Sequence, residues 1–197
     1  MPHGGNMRDL AKDTKLAERN VAKLQSLIPR KLLVKEDKIA KKQAKSSEGE
    51  IDKLKQLFKL ADELTSKLSS ITSCKSGCGN CCHINVSITE HEAKILADFT
   101  GSELESSSSL VRPDFHGSPC PFLSNEKCSV YSVRPFVCRR QVSVMPSEYW
   151  CDPSISLDAE VPMVEFSELS TAFYAIAARS EVKDIRQWFG LKAQQSA

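Results

Sequence analysis

SCKSGCGNCCH, residues Ser73–His83, sets four cysteines, Cys74, Cys78, Cys81 and Cys82, within nine positions. Thiols crowded in this way serve disulfides, a redox-active pair or the ligation of a soft metal. A second cysteine-rich stretch, PCPFLSNEKCSVYSVRPFVCRR, carries Cys120, Cys128 and Cys138, and Cys151 follows in EYWC. Seven of the eight cysteines thus lie in two compact arms, 74–82 and 120–138, joined by sequence that reads as a strand, a helix and a loop. A metal centre staples a small domain in this way, each arm offering thiolates from its turns.

Composition narrows the choice. The chain has 197 residues, 41% of them apolar, and a net charge of +2. No run approaches the roughly 18 apolar residues of a membrane span. The N-terminal MPHGGNMRDL lacks the apolar segment of a secretory signal. A cytoplasmic location is therefore expected, where thiols stay reduced and clustered cysteines ligate metal rather than pair. Charge is unevenly spread: residues 1–45 hold twelve Lys/Arg against five Asp/Glu, a balance of +7, leaving −5 for the rest. Such a basic arm suits a solvated helix face, an acidic partner or nucleic acid. No aromatic residue is interleaved with the lysines, so base stacking has no support, although nucleic acid is not excluded.

Local spacing refines the site. Cys78-Gly79-Asn80-Cys81 is a C-x-x-C knuckle whose Gly-Asn pair is expected to take positive φ, turning backbone N–H groups toward sulfur. Adjacent Cys81 and Cys82 are hard to place on one ion, because neighbouring side chains diverge; one of them serves a second metal, stays free or exchanges. Pro119 and Pro121 fix the backbone around Cys120. Arg134, Arg139 and Arg140 are candidates to offset thiolate charge, or else pair with nearby acids. His83 and His116 lie close enough in sequence to be considered as ligands or neighbours of the site.

The expected fold is mainly α, with a small irregular, cysteine-rich, metal-stapled module and at most a short β element. Leu10, Ala17, Val21, Leu24 and Ile28 form one helical stripe that Pro29 ends. RKLLVKEDKIAKKQAKSSEGE reads as a charged connector, helical in part. Ser47 and Glu50 have the spacing of a capping box ahead of Leu57, Ala61, Leu64, Leu68 and Ile71. Ile84, Val86 and Ile88 alternate as a strand does. Thr89 with Glu92 opens a helix that Gly101 closes. SELESSSSLVRPDFHGSP is a polar loop, and SELSTAFYAIAARS and VKDIRQWFG are amphipathic helices. These pieces divide the chain into a basic helical N-terminal arm and linker (1–46), a cysteine-cluster domain with flanking helices (47–190) and a tail (191–197). The N-terminal helices are the expected means of binding a protein partner or a second copy of the chain.

CKSGCGNCC followed by PCPFL, CSVYSVRPFVCR and a further cysteine resembles the YkgJ-type cysteine-cluster family, the zinc- or iron-chelating domain with a CxxCxxCC signature. The resemblance covers roughly residues 74–151. It implies a metal or iron–sulfur centre held by Cys74, Cys78, Cys81, Cys82, Cys120, Cys128 and Cys138, with Cys151 as an eighth ligand. It implies little about activity. Flagellin lysine methylase carries a similar cluster in a longer chain, which makes a metal-dependent protein-modifying enzyme the rival to a metal-binding module. Cys74-x3-Cys78-x2-Cys81 also has the spacing of a radical S-adenosylmethionine enzyme. Against that, Asn80 replaces the usual aromatic residue, Cys82 follows at once, and no train of βα units surrounds the motif. A thiol oxidoreductase would need a helix directly after its C-x-x-C, where INVSI stands instead. Zinc and iron–sulfur use the same thiolates; the proline beside Cys120 and the nearby arginines lean toward iron–sulfur.

Overall fold

The computed structural model describes residues 8–105, 113–156 and 161–190. Among them are eight α-helices and two two-stranded antiparallel sheets, so the chain is mainly helical, as expected. None of these helices is long and apolar enough to cross a membrane. The polar loop before Cys120 falls partly on residues 106–112, and the tail on 191–197, both outside the described residues.

Helix α1 (Leu10–Leu27) is capped by the Asp9 side chain and ends at Ile28, where Pro29 opens α2 (Arg30–Ala44). Ala17 and Ile28 are buried and Leu24 partly so, whereas Leu10 and Val21 lie exposed on the outer side. The charged connector is helical in part, as expected, and the helix takes up its first fifteen residues, Arg30–Ala44. Its buried face of Leu32, Glu36, Ile39 and Gln43 packs on α3 (Glu50–Thr65) and α7 (Ser167–Ala177). Lysines at five of the eleven other positions disguise a stripe spaced four, three and four.

The first N-terminal capping box is not formed: Gly49 is the N-cap of α3, without a side-chain cap, and Ser46 bonds Glu48 instead. Leu57, Ala61, Leu64, Leu68 and Ile71 are all buried, as their spacing predicts. The Thr89–Glu92 box and the left-handed Gly101 do bound α4 (Glu90–Thr100), as expected. Only Ser87–Thr89 of the expected strand is regular, as β1, and it pairs with β4 (Val182–Asp184). VKDIRQWFG is thus a strand followed by the short helix α8 (Ile185–Phe189), opened by an Asp184–Gln187 capping box.

Two hydrophobic clusters result. The larger surrounds α3, with Leu54, Leu57 and Leu64 fully buried, and includes Phe136 stacked on Phe173 at 4.6 Å. The smaller comprises Val86, Ile88, Ala93, Leu96, Phe122, Val130, Ile185 and Trp188. Helix α5 (Phe136–Arg140) lies on the seam, sending Phe136 to the first and Val137 and Cys138 to the second.

One long-range cap joins the N-terminal helices to the rest. Helix α7 has no side-chain cap of its own; Glu36 on α2 accepts from Glu168 N at 2.8 Å and Leu169 N at 3.2 Å. A carboxylate at a helix N-terminus satisfies free N–H groups and meets the positive end of the dipole. Glu36→Ala is expected to lower stability by about 1–2 kcal/mol, read by denaturant unfolding, while an unchanged midpoint refutes the cap.

Candidate metal centre

The first arm turns at Gly77, whose φ of +93° lies where only glycine is at ease. Cys81 and Cys82 then sit in a 3-10 turn, Asn80–His83. The expectation of positive φ at Gly79-Asn80 is corrected: Gly79 has φ −99°, and Asn80 is right-handed. Gly79 is instead closely packed. A Cβ there would stand 3.0 Å from Glu126 Oε2 and 3.3 Å from Leu123 Cδ1. Those atoms belong to the second arm, where β2 (Leu123–Ser124) and β3 (Lys127–Cys128) form a hairpin. Its two-residue loop, Asn125-Glu126, has φ of 49° and 58°, the double positive φ of a type I′ turn. Gly79 thus lets the tip of one arm press against the other.

The arms are also joined through their backbones. Cys120 N donates to Cys82 O, and Gly117 N to His83 O, each at 2.7 Å. A buried arginine from α8 completes the junction. Arg186 donates to the carbonyls of Ile84, Cys82, Ser118 and Pro119 and pairs with Asp184 at 3.0 Å. Its side chain is entirely buried. Planar guanidinium geometry lets one group satisfy several carbonyls at once.

These constraints bring seven cysteines, Cys74, Cys78, Cys81, Cys82, Cys120, Cys128 and Cys138, to the wall of one cavity of about 550 Å³. Cys151 does not line it but lies behind the first arm. There Ser143 N donates to Cys74 Sγ at 3.3 Å, and the Ser143 side chain hydrogen-bonds Cys151. The Cys151 turn, Glu148–Cys151, is held from α1: Trp150 Nε1 donates to Asp13 Oδ2 at 2.8 Å, and Arg8 pairs with Asp13. Asn80 adds a bond from the first arm to Glu148 O at 2.7 Å.

Several sulfurs receive backbone N–H groups. Asn80 N bonds Cys78, Phe122 N bonds Cys120 and Val130 N bonds Cys128, each from two residues downstream. N–H···S bonds of this kind stabilise a ligating thiolate. All eight cysteines are free thiols. Enclosure raises the pKa of Cys74, Cys78 and Cys128, lifts Cys138 well up, and takes Cys120 to about 11 and Cys151 to about 12. A hydrogen bond with Cys82 lowers Cys81 to about 7 and raises Cys82 in turn. The crowded thiols therefore resist shared negative charge, and a cation is the partner that relieves it. Among the described residues, no three Cys, His, Asp or Glu side chains already stand in ion-ligating geometry.

The arginines divide in function. Arg139 pairs with Asp62, donates to Arg134 O and Ser132 O, and packs on Phe58; it shapes the backbone around Cys138. Arg140 reaches toward the Tyr174 ring. Arg134 lines the cavity, pairs with Asp62 at 3.0 Å, and favours the charged forms of Cys81 and Cys128. His83 faces Gly79 O and His116 faces Pro153 O, and neither lines the cavity. Sequence reasoning misses Arg186 and Ser143 as site residues; Asp184-x-x-Gln187 spacing marks the start of α8, yet no sequence signal points Arg186 at the cysteines.

No curated protein and no solved structure matches the chain. The family model CxxCxxCC, described as "Putative zinc- or iron-chelating domain", matches residues 73–155, nearly the span over which the resemblance was read. The cysteine-bearing part of the chain, residues 73–155, is thus similar to the CxxCxxCC domain.

Proposed function

We propose that this chain is a metal-binding protein whose eight cysteines ligate a thiolate-bound centre, an iron–sulfur cluster in preference to zinc, in a reducing compartment. One observation carries the reading: sulfur donors from both arms converge on a single cavity, several already accepting N–H···S bonds. Four thiolates about 2.3 Å from a zinc ion close around it and leave little room. A cavity of about 550 Å³ suits a polynuclear cluster better. Arg134, beside Cys81 and Cys128, supplies positive charge for an anionic centre. Such a cluster adds electron transfer or Lewis-acid chemistry to the structural role zinc would have.

Anaerobic purification followed by iron, zinc and acid-labile sulfide analysis tests this. The expected product is brown, with iron and sulfide in equal amounts and absorption near roughly 400 nm, where thiolate-bound clusters absorb. A colourless protein with stoichiometric zinc overturns the iron assignment, and a metal-free one overturns the reading entirely.

The rival reading, a metal-dependent enzyme acting on a protein side chain, is favoured by the cavity space beyond the sulfurs bounded by Arg134 and Gln141. Its probe is free lysine added to the loaded protein: a perturbed absorption spectrum supports it, and an unchanged spectrum at saturating lysine counts against it.

A further inference from the structure

The doublet Cys81–Cys82 marks a boundary within the site. In a 3-10 turn there are three residues per turn, so neighbouring side chains leave the backbone about 120° apart. Their sulfurs hydrogen-bond each other. Cys82 feels the charges of Cys120 and Cys128, whereas Cys81 stands between the two groups and acts on Cys74, Cys78 and Cys151 as well as on Cys128 and Cys138. On one side, Ser143 touches both Cys74 and Cys151, and the charges felt by Cys151 are those of Cys74, Cys78 and Cys81. Cys74 packs on the larger hydrophobic cluster. On the other side, Cys82 O accepts from Cys120 N, Cys120 O accepts from Leu123 N, and Leu123 pairs with Cys128 across the hairpin. Cys120, Cys128 and Cys138 all pack on the smaller cluster. Backbone ties and packing therefore agree in setting Cys120 and Cys128 apart from Cys74.

From this geometry we infer that the eight cysteines form two four-thiol sites, Cys74/Cys78/Cys81/Cys151 and Cys82/Cys120/Cys128/Cys138, each holding its own metal centre, side by side at the doublet. This rests on the metal-binding reading and adds to it a number and a partition. Four thiolates complete either a tetrahedral ion or a four-iron cluster, so neither set requires a ligand from outside the chain. Cys151, the one cysteine outside the cavity wall, gains a defined role as the fourth ligand of the first site. Arg134 lies where it acts on one member of each set, Cys81 and Cys128, and so offsets charge on both.

Two double variants separate the sites: Cys81→Ser with Cys151→Ser, and Cys82→Ser with Cys138→Ser. Each is expected to retain half of the wild-type metal per chain, and the quadruple variant none. One double variant at full loading while the other has none signifies a single centre and overturns the partition. If both double variants lose all metal, far-UV circular dichroism identifies misfolding. The count then comes from wild type alone, by anaerobic titration of the metal-free chain with Cd²⁺ followed by native mass spectrometry. Two tightly bound Cd²⁺ per chain support the inference, and any other number overturns it. A wild-type chain that takes up neither its own metal nor Cd²⁺ instead fails the metal-binding reading itself.

Discussion

Arg186→Met is expected to destabilise the protein by about 3–5 kcal/mol, the range seen when one partner of a buried ion pair is removed. Asp184 is buried and would keep its charge without the guanidinium that pairs with it. It would still accept from Val86 N and Arg186 N, which softens the loss but leaves a net buried charge. Four carbonyls, those of Ile84, Cys82, Ser118 and Pro119, would lose their donor in the same step. Met fills a similar volume, so a cavity is not the cause of the loss. Arg186→Lys restores a charge but offers a compact ammonium in place of a planar fork, and should recover only part of the stability. Denaturant unfolding of both variants is the measurement. The double variant Asp184→Asn/Arg186→Met should cost less than the two single changes summed, because the carboxylate charge goes with its partner. A loss below about 1 kcal/mol for Arg186→Met, within the range of an exposed ion pair, means that water replaces the guanidinium and that Arg186 does not hold the arms together.

That arginine also illustrates where sequence reading stops. Patterns whose partners lie within one turn were legible: Thr89 and Glu92, the left-handed Gly101, and the stripe from Leu57 to Ile71 each depend on neighbours three or four residues away. The two cysteine arms were legible as well, because residue type alone carries their chemistry. Glu36 was not, since it caps a helix 132 residues further on and stands among lysines that make its segment look solvated. Arg186 serves carbonyls 67 to 104 residues away, and a carbonyl leaves no trace in the residue type that bears it. Gly79 is legible as a turn residue, but the left-handed turn belongs to Gly77, and the close packing at Gly79 is set by a hairpin that begins 44 residues later. The hairpin itself was hidden because Asn-Glu fills a loop where Asn-Gly is the stronger signal. The partition proposed at the doublet likewise depends on the fold, through the backbone ties from Cys82 to Cys120 and Cys128 and the packing of Cys74 and of Cys120, Cys128 and Cys138 on different clusters.

Stripping the metal with a chelator, under reducing anaerobic conditions, is expected to unfold the cysteine module while leaving most of the helical signal. The larger cluster closes on helices α1, α2, α3 and α7, through Ala17, Leu32, Leu54, Leu57 and Phe173, and none of those contacts depends on a thiol. The smaller cluster is different. The stretches that lead into it, 73–86 and 113–135, contain only short 3-10 turns and a four-residue hairpin as regular structure among the described residues. Segments of this size seldom order themselves without a metal or a disulfide. Metal ligation by four thiolates contributes on the order of 10 kcal/mol at neutral pH, more than Arg186 and its carbonyls together. Without it, thiols that enclosure and mutual repulsion already hold protonated have no charge left to bind. Hydrogen exchange followed by mass spectrometry should then report lost protection across 74–86 and 115–138, with α2, α3 and α7 still protected, a local rather than a global opening. Helix α5 decides the boundary, because Phe136 faces the larger cluster and Cys138 the smaller; its C-terminal half should exchange first. Equal protection of metal-loaded and stripped protein throughout 74–138 would mean that side-chain packing and Arg186 suffice, and that the centre serves chemistry alone.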